Sequence, residues 1–478
     1  MSLKRQAISG VKWSFAQQFS VQIINFAVQV ILARLLMPEM FGLIAMIIVF
    51  ISIGQILLDS GMTSSLIRTD SPTQIDYSTV FITNLMMSIA IYAFTFILAP
   101  HIASFYNQEV LTNIVRVFSL SFIINAFIAV HLAKLTKEMN FKKQMTLQVP
   151  STILSGIIGI AMAYTGHGVW SLVWMNLARS LFFALQAWIF IDWKPSLLFN
   201  RERFVYHFKF GYKLTLAGLI DTIYNDSYRI IIGKFFNPAA VGFFNHAENM
   251  RLFPVNQISA VMSKVTYPYF SRIKSDTHLR SAYSQSMKLV LLVVTPVMVT
   301  LIIIAKEGFL FMFGEHWLPA VPYFQILAVA SIIRPISSYN LNILQVKGQS
   351  NIFLKVEIYK KILGVVSLVI GLQFGLMGLV ISLTSVSFLW VCINMHFCGK
   401  LIHFSFYEQL RTIFPLIIIG LISGLLSYYV YTIITYRTSN NLVIIFLIAV
   451  TNLTLYLGLL YLVDREFIIS IRKFLKNG

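Results

Sequence analysis

The sequence is poor in charged residues, which make up only 12% of its 478 residues. A soluble domain needs roughly 25% charged residues to cover its surface, so most of this surface faces something other than water. Because 57% of the residues are hydrophobic, the sequence predicts an integral membrane protein. A closed β-barrel is excluded, because its strands would read as short alternating segments, whereas the apolar runs here are long and continuous.

The sequence also lacks cysteine-rich segments and catalytic motifs. Its two cysteines, Cys392 and Cys398, predict neither a disulfide framework nor a metal site. It contains no P-loop, no GxGxxG after a strand, no HExxH and no GxSxG. We therefore predict a protein that is not an enzyme, binds no cofactor or metal, and hydrolyses no ATP. An ion gradient or a substrate gradient must then supply any energy for transport.

A helix needs roughly 20 apolar residues to cross a bilayer. Apolar runs of about this length recur along the whole chain. The fourteen runs lie at about 12–36, 41–66, 78–99, 110–133, 147–165, 169–191, 212–232, 243–270, 283–305, 320–342, 353–373, 376–398, 412–433 and 441–463. Lys4, Arg5 and Lys12 precede the first run, but that run is too long for a signal peptide and has no small-residue cleavage site. We therefore expect the chain to begin in the membrane.

The net charge of +19 follows the membrane topology and does not indicate nucleic-acid binding. With both termini placed in the cytoplasm, the segments after helices 4, 6 and 8 and the C-terminal tail hold most basic residues. These residues are Lys134, Lys137, Lys142, Lys143, Lys194, Arg201, Arg203, Lys209, Lys213, Arg272, Lys274, Arg280, Lys288, Arg465, Arg472, Lys473 and Lys476. The opposite loops hold little more than Lys234, Lys306 and Arg437. This asymmetry fits the positive-inside rule, and contact with anionic lipid heads explains the charge.

An internal repeat divides the chain. Residues 32–43, LARLLMPEMFGL, match residues 232–243, IGKFFNPAAVGF, at an offset of 200 that aligns Pro38 with Pro238 and Gly42 with Gly242. Six spans separate the copies, so both run in the same direction and form a parallel repeat. The predicted domains are an N-lobe at 1–191, a cytoplasmic amphipathic linker at 192–211, a C-lobe at 212–398, and two further helices with a basic tail at 399–478. The linker either lies flat at the membrane interface or is a solvated connection.

Polar side chains form stripes on helices 1, 2, 7 and 8, the first two helices of each predicted half. A polar group that faces lipid is costly, so such stripes point toward protein or water. The candidates for lining a central cavity are Gln18, Gln22, Asn25, Gln29, Asn225, Asn249 and Asn256. Hydrogen bonds between helices are the alternative for any single residue, but four stripes together favour a shared cavity.

Basic residues outnumber acidic residues within the predicted spans, which suits an anionic ligand because guanidinium binds phosphate oxygens in bidentate fashion. The candidate binding residues are Arg34, Arg116, Arg179, Arg229, Arg251 and Arg334. The candidates for coupling to Na⁺ or H⁺ are Asp59, Asp221 and Glu248. Two of these arginines have an acidic residue three positions before them, Asp226 and Glu248, so structural pairing is the alternative. Arg34 and Lys264 could instead extend to an interface, and Arg116, Arg179 and Arg334 could pair structurally.

Several segments together resemble the polysaccharide transporter branch, Wzx and teichuronic acid exporter-like, of the multidrug/oligosaccharidyl-lipid/polysaccharide (MOP) flippase superfamily. The segments are GVKWSFAQQF (10–19), LARLLMPEMFGLIAM (32–46), LDSGMTSSLIR (58–68), GYKLTLAGLIDTIYNDSYRIIIGKFFNPAAVGFFNHAENM (211–250) and VTYPYFSRI (265–273). The resemblance covers essentially the whole chain. It implies an all-α membrane protein of fourteen transmembrane helices, with two six-helix lobes in a V shape similar to MATE proteins and two extra C-terminal helices. It also implies a cationic central cavity, with Arg229, Arg251 and Arg34 at matching basic positions.

The resemblance further implies a function. We expect a monomeric flippase that moves an undecaprenyl diphosphate-type oligosaccharide or polysaccharide repeat unit, such as that of O-antigen or lipopolysaccharide, by alternating access. The expected location is the bacterial cytoplasmic (inner) membrane, with both termini in the cytoplasm and membrane lipids as partners. The alternative is a MATE-like exporter of drugs or organic cations, which would favour an acidic cavity. A polymerase or ligase would need a large outer loop, which the sequence lacks, and a passive scramblase stays open.

Overall fold

The computed structural model describes residues 3–273 and 275–465. All the helices and strands assigned within these ranges are helices, joined by loops. The helices are α1 (Leu3–Leu35), α2 (Pro38–Asp59), α3 (Met62–Arg68), α4 (Gln74–Tyr106), α5 (Val110–Phe118), α6 (Leu120–Lys137), α7 (Phe141–Tyr164), α8 (Val169–Phe190), α9 (Arg201–Asn225), α10 (Ser227–Phe235), α11 (Pro238–Arg272), α12 (Asp276–Ile303), α13 (Ala305–Phe313), a 3₁₀ helix (Glu315–Ala320), α14 (Val321–Val346), α15 (Ser350–Leu372), α16 (Gly375–Leu401), α17 (Phe406–Arg437) and α18 (Asn441–Val463). The predicted all-α fold is confirmed.

Eleven helical segments in the described ranges are long and apolar enough to cross a membrane. The predicted spans at 212–232, 243–270 and 353–373 are also helical but are not among these eleven. The last of them, α15, carries Lys355, Glu357, Lys360 and Lys361 within its length, which lowers its mean hydropathy. The eleven segments are consistent with the fourteen predicted spans, and the exact number stays a prediction.

Local sequence signals explain where several helices begin. Pro38 starts α2, because the N–H that proline lacks has no partner in the first turn of a helix. A capping box starts α4, in which Thr73 accepts from the backbone N–H of Asp76 and the Asp76 carboxylate accepts from the backbone N–H of Thr73. Ser405 and Glu408 form a second capping box at the start of α17. Each box satisfies two backbone donors that would otherwise lack partners.

Several predicted spans are each built from two helices, and two of the breaks between such helices lie beside candidate site residues. The break between α2 and α3 lies at Ser60 and Gly61, which both adopt the left-handed conformation, with φ angles of 46° and 65°. The break between α9 and α10 lies at Asp226. A Cβ on Gly61 would lie 2.5 Å from the carbonyl oxygen of Gly211. The backbone of α9 at Gly211 therefore approaches the break between α2 and α3 so closely that only glycine fits at position 61 and at position 211.

The chain forms two compact units, Met1–Gly242 and Phe243–Gly478. In the first unit, α1 packs on α7, α7 on α8, α4 on α5 and α6, and α9 on α2, α3 and α4. Its core includes a cluster of aromatic rings in which Phe81 contacts Phe127, Trp188 and Trp193. The lobe boundaries predicted above stay a prediction, and in this structure α9 and α10 are part of the first unit.

The second unit is centred on α12, which packs against α14, α17 and α18. Small residues let α17 approach closely, since a Cβ on Gly420 would lie 2.3 Å from the methyl carbon of Thr295. Asn452 on α18 donates to the carbonyl oxygen of Pro296 at 3.1 Å and to Thr300 Oγ1 at 2.8 Å. Close approach through small residues and amide hydrogen bonds are the usual means of packing helices in lipid. The two C-terminal helices are therefore integral parts of this unit.

Some predicted basic positions cannot be placed. Lys274 and the tail residues Arg472, Lys473 and Lys476 lie outside the described residues, as does the side chain of Lys264.

Candidate functional site

The polar stripe of α1 does not face the helix on which α1 packs. The contact with α7 uses Gln17, whose amide donates to Gln148, and Val28, which lies against Gly156. The predicted cavity residues Gln18, Gln22, Asn25 and Gln29 occupy a face about 100° further round the helix. Gln18 is exposed and the other three are half-buried. Within the described ranges, Gln18, Gln22 and Asn25 have no hydrogen-bond partner, so the interhelical alternative does not account for them.

The polar stripe of α2 has structural partners. Gln55 accepts a hydrogen bond of 2.9 Å from the Asn125 amide on α6, as the interhelical alternative predicted. The Asp59 carboxylate accepts from the hydroxyl of Thr63 at 2.6 Å and from its backbone N–H at 3.4 Å. Asp59, the last residue of α2, therefore accepts from two donors in the first turn of α3, whose N-cap residue is Gly61. This role is independent of the predicted role in ion coupling, which stays a prediction.

Arg229 lies on α10 in the first unit and forms an ion pair with Asp226, which is buried at the break between α9 and α10. Its Nε atom is buried and has no hydrogen-bond partner in the described part of the chain. The neighbouring predicted residues Asp221 and Asn225 are exposed. Because Asp226 offsets the charge of Arg229, the pair adds no net positive charge to this region.

The other arginines of the first unit are held separately. Arg116 donates to the carbonyl oxygen of Phe96 at 3.4 Å and lies 4.3 Å from the centre of its ring. Arg179 is exposed on α8 and contacts Asn176 of the same helix at 3.5 Å. Arg34 is exposed near the end of α1. Neither Arg116 nor Arg179 takes part in an ion pair within the described residues.

In the second unit the structure brings three predicted residues together. Arg251 on α11 donates to both carboxylate oxygens of Glu248, at 2.6 and 2.7 Å, and to Ser331 Oγ on α14 at 3.1 Å. Its side chain is only 4% exposed. Arg334 is exposed and lies one turn after Ser331 on the same side of α14, next to the hydroxyl that binds Arg251. We call Glu248, Arg251 and Arg334 the basic cluster.

The basic cluster contains two guanidinium groups and one carboxylate, so it keeps a net positive charge. Glu248 and Ser331 fix the orientation of Arg251, whereas Arg334 has no hydrogen bond or ion pair within residues 3–273 and 275–465. Its donors are therefore available to an anion. The other predicted residues of this unit, Asn249 and Asn256, lie on α11, half-buried and exposed respectively.

A buried polar network in the first unit was not predicted from the sequence. His207 on α9 has Nδ1 2.8 Å from Ser65 Oγ on α3 and Nε2 3.3 Å from the Asp76 carboxylate on α4. Arg203 lies 3.5 Å from the same carboxylate. Burial lowers the pKa of His207, which precedes the predicted span. Ser65, His207 and Asp76 are all buried, and their contacts join α3, α9 and α4.

No group of three or more metal-ligating side chains occurs within the described parts of the chain.

Comparisons with known proteins agree with this architecture. A family model described as "Polysaccharide biosynthesis protein" matches residues 31–322. The teichuronic acid biosynthesis protein TuaB of Bacillus subtilis is 26% identical over 357 residues, which cover 73% of each chain. The lipopolysaccharide biosynthesis protein WzxC of Escherichia coli is 22% identical over 413 residues, 86% of this chain and 84% of the relative. The fold is similar to that of the lipid II flippase MurJ in an inward closed conformation, with a TM-score of 0.78 and 14% identity over 96% of this chain and 100% of MurJ.

Proposed function

Because the chain belongs to the family of polysaccharide biosynthesis proteins, we propose that it is a flippase that moves a lipid-linked oligosaccharide or polysaccharide repeat unit across the membrane. The predicted resemblance to the polysaccharide transporter branch is confirmed by the family match and by the relatives. The chain is a multi-pass membrane protein, and its fold is that of a known lipid II flippase.

The basic cluster is the observation that carries the proposal. The head group of an undecaprenyl diphosphate-linked sugar is an anionic diphosphate, which guanidinium groups bind through paired, charge-assisted hydrogen bonds. Arg251 is held in a fixed orientation by Glu248 and Ser331, and Arg334 beside it is exposed. In our proposal Arg334 binds the diphosphate directly, and the Arg251–Glu248 pair is a fixed, charge-balanced neighbour of that site. Gln18, Gln22 and Asn25 of the first unit stay candidates for hydrogen bonds to sugar hydroxyls.

The remaining features of the proposal concern location and energy. We place the chain in the bacterial cytoplasmic membrane, as a monomeric transport unit with both termini in the cytoplasm. Lobes at 1–191 and 212–398 would alternate between inward-open and outward-open states while the lipid tail stays in the bilayer. The chain contains no ATP-binding motif, so a gradient of Na⁺ or H⁺ is the proposed energy source. Asp59, Asp221 and Glu248 stay the candidates for coupling to it.

The proposed function is tested by complementation in the native host after deletion of the chromosomal gene. We expect Arg334→Ala to lower polysaccharide export at normal protein level, because the exposed guanidinium that contacts phosphate is lost. Arg334→Lys keeps the charge but not the bidentate geometry and should retain intermediate export. The control is Arg437→Ala, which removes an exposed arginine at the end of α17. Wild-type export by Arg334→Ala would remove the basic cluster from the proposed site.

A MATE-like exporter of organic cations is less well supported. Cation binding favours carboxylates without a basic partner, yet Asp226 and Glu248 are each paired with an arginine. A strain that gains resistance to cationic dyes on expression of this chain, with no change in polysaccharide export, would support the exporter instead.

A further inference from the structure

The segment between α8 and α9 is fixed to the protein, although it has no helix or strand. We call residues 192–200 the strap. The Trp193 indole donates to Gln74 Oε1 at 2.7 Å, and the Gln74 amide donates to the carbonyl oxygen of Lys194 at 2.8 Å. The backbone N–H of Ser196 donates to Ser78 Oγ at 3.0 Å. The first turns of α4 therefore hold the strap along its length.

Both ends of the strap are anchored as well. Trp193 is buried in the aromatic core of the first unit, against Tyr77 and Phe81. At the other end, the backbone N–H of Asn200 donates to Thr79 Oγ1 at 3.1 Å, and the Asn200 side chain caps the start of α9. A solvated connection between domains would not need this many fixed contacts.

The fixed strap presents three consecutive large apolar side chains outward. Leu197 is 98% exposed, Leu198 56% and Phe199 52%. The apolar surface continues from the end of α8, where Ile189 and Phe190 are also exposed. In a membrane protein, an apolar surface that continues from the end of a spanning helix faces the acyl chains or the boundary between them and the head groups.

Basic residues flank these apolar side chains. Lys194 and Arg201 are exposed on either side of them, and residues 192–213 contain five lysines and arginines against two acidic residues. Further along α9, the aromatic rings of Phe204, Phe208 and Tyr212 stack one above another. Aromatic rings and basic side chains at helix ends are typical of the membrane interface, where anionic head groups attract lysine and arginine.

We propose that the strap is a membrane-interface wedge that binds anionic phospholipid. Leu197, Leu198 and Phe199 insert at the boundary of the acyl chains, and Lys194 and Arg201 contact lipid phosphates. The charge complementarity selects an anionic leaflet over a zwitterionic one. The inference rests on the geometry of the first unit and does not depend on which substrate the protein moves.

The test uses the full-length chain in which Cys392 and Cys398 are replaced by serine and alanine. Leu198→Cys is labelled with the environment-sensitive dye NBD, and the protein is reconstituted into vesicles of phosphatidylcholine with or without phosphatidylglycerol. We expect blue-shifted emission that doxyl-labelled lipid quenches and aqueous iodide does not. Asp70→Cys, in the exposed loop between α3 and α4, is the matched control and should be quenched by iodide.

The charge of the wedge is tested in the same vesicles. Phosphatidylglycerol should increase the quenching by doxyl lipid at position 198, and Lys194→Gln with Arg201→Gln should remove at least half of that increase. Iodide quenching at position 198 equal to that at position 70 would overturn the wedge and identify a strap exposed to water or to a protein partner. Quenching by doxyl lipid that is independent of phosphatidylglycerol would overturn the binding of anionic lipid.

Discussion

Gly42 and Gly242, which occupy equivalent positions in the internal repeat, lie against each other's helix starts. A Cβ on Gly42 would be 1.7 Å from the carbonyl oxygen of Pro238, and a Cβ on Gly242 would be 2.1 Å from that of Pro38. Each glycine therefore meets the proline of the other copy, in a reciprocal contact within the first unit. The reciprocity gives the sequence repeat a physical meaning, because both copies need the same residue for the same contact.

We expect Gly42→Ala and Gly242→Ala each to destabilise the protein by at least roughly 1–3 kcal/mol, because an added methyl group in a packed contact forces the backbone to shift. The measurement is thermal unfolding of the purified protein in detergent. The control is Gly218→Ala on α9, where the new Cβ would lie 3.5 Å from Ile56, an ordinary contact. Equal melting temperatures for all three variants would contradict the close contact of Gly42 and Gly242 with the opposite helix starts.

The network around His207 should contribute to stability. His207→Ala leaves the buried groups of Ser65 and Asp76 without this partner, and an unsatisfied buried polar group costs roughly 1–3 kcal/mol. His278→Ala, at an exposed position of α12, is the control and should unfold as the wild type does. A wild-type melting temperature for His207→Ala would show that the network does not hold α9 in place.

The same histidine predicts a pH dependence. Burial lowers the pKa of His207 below its ordinary value of 6.5, so below that value the unfolded state binds the proton more tightly than the folded state. The stability that neutral His207 contributes is complete above about pH 6.5 and falls as the pH drops toward the folded-state pKa. Melting temperatures measured across this range should fall less steeply for His207→Gln than for the wild type. Parallel curves would contradict a neutral, buried His207.

Substitution of each arginine of the basic cluster should distinguish an effect on stability from an effect on transport. Arg251→Ala leaves Glu248 without its partner, and breaking a buried ion pair in this way costs up to roughly 3–5 kcal/mol. Arg334→Ala removes an exposed side chain and should change stability by less than about 0.5 kcal/mol. Unfolding and export are measured on both variants, and we expect only Arg334→Ala to lose export while unfolding normally. The assignment fails if Arg334→Ala destabilises the protein as much as Arg251→Ala.

Asp59 should stabilise the first turn of α3 through its bonds to Thr63. Asp59→Ala removes the acceptor for Thr63 and should destabilise the protein by roughly 0.5–2 kcal/mol, whereas Asp59→Asn keeps an acceptor and should have a smaller effect. Chemical unfolding of both variants gives the comparison. If alanine and asparagine are equally tolerated, the bonds from Thr63 to Asp59 do not stabilise the start of α3.

The fold was largely predictable because its signals are local. Long apolar runs located the helices, and the Pro38 and Pro238 blocks marked equivalent turns in the two copies. The Ser60–Gly61 pair is a local turn signal, but the close approach of Gly211, about 150 positions further along the chain, could not be predicted. A pattern of local hydrophobicity carries no information about such a contact.

The candidate site was predictable only where spacing decides the contact. The i, i+3 spacing correctly indicated the pairs of Asp226 with Arg229 and of Glu248 with Arg251. The approach of Arg334 to Arg251 and the network of His207 join helices distant in sequence, so their residues carry no shared local signal. For the amides of α1, the spacing predicted that they share one helix face. It did not predict which face of α1 packs against α7.

The most direct test of the proposed function is leaflet exchange by the purified protein. Vesicles containing the protein and a fluorescent undecaprenyl diphosphate oligosaccharide are treated with a membrane-impermeant reductant that destroys only outer-leaflet fluorophores. We expect the protected fraction to fall well below half with the wild type, and to stay near half with Arg334→Ala and in protein-free vesicles. A protected fraction near half with correctly folded wild-type protein, with and without a gradient of Na⁺ or H⁺, would contradict flippase activity.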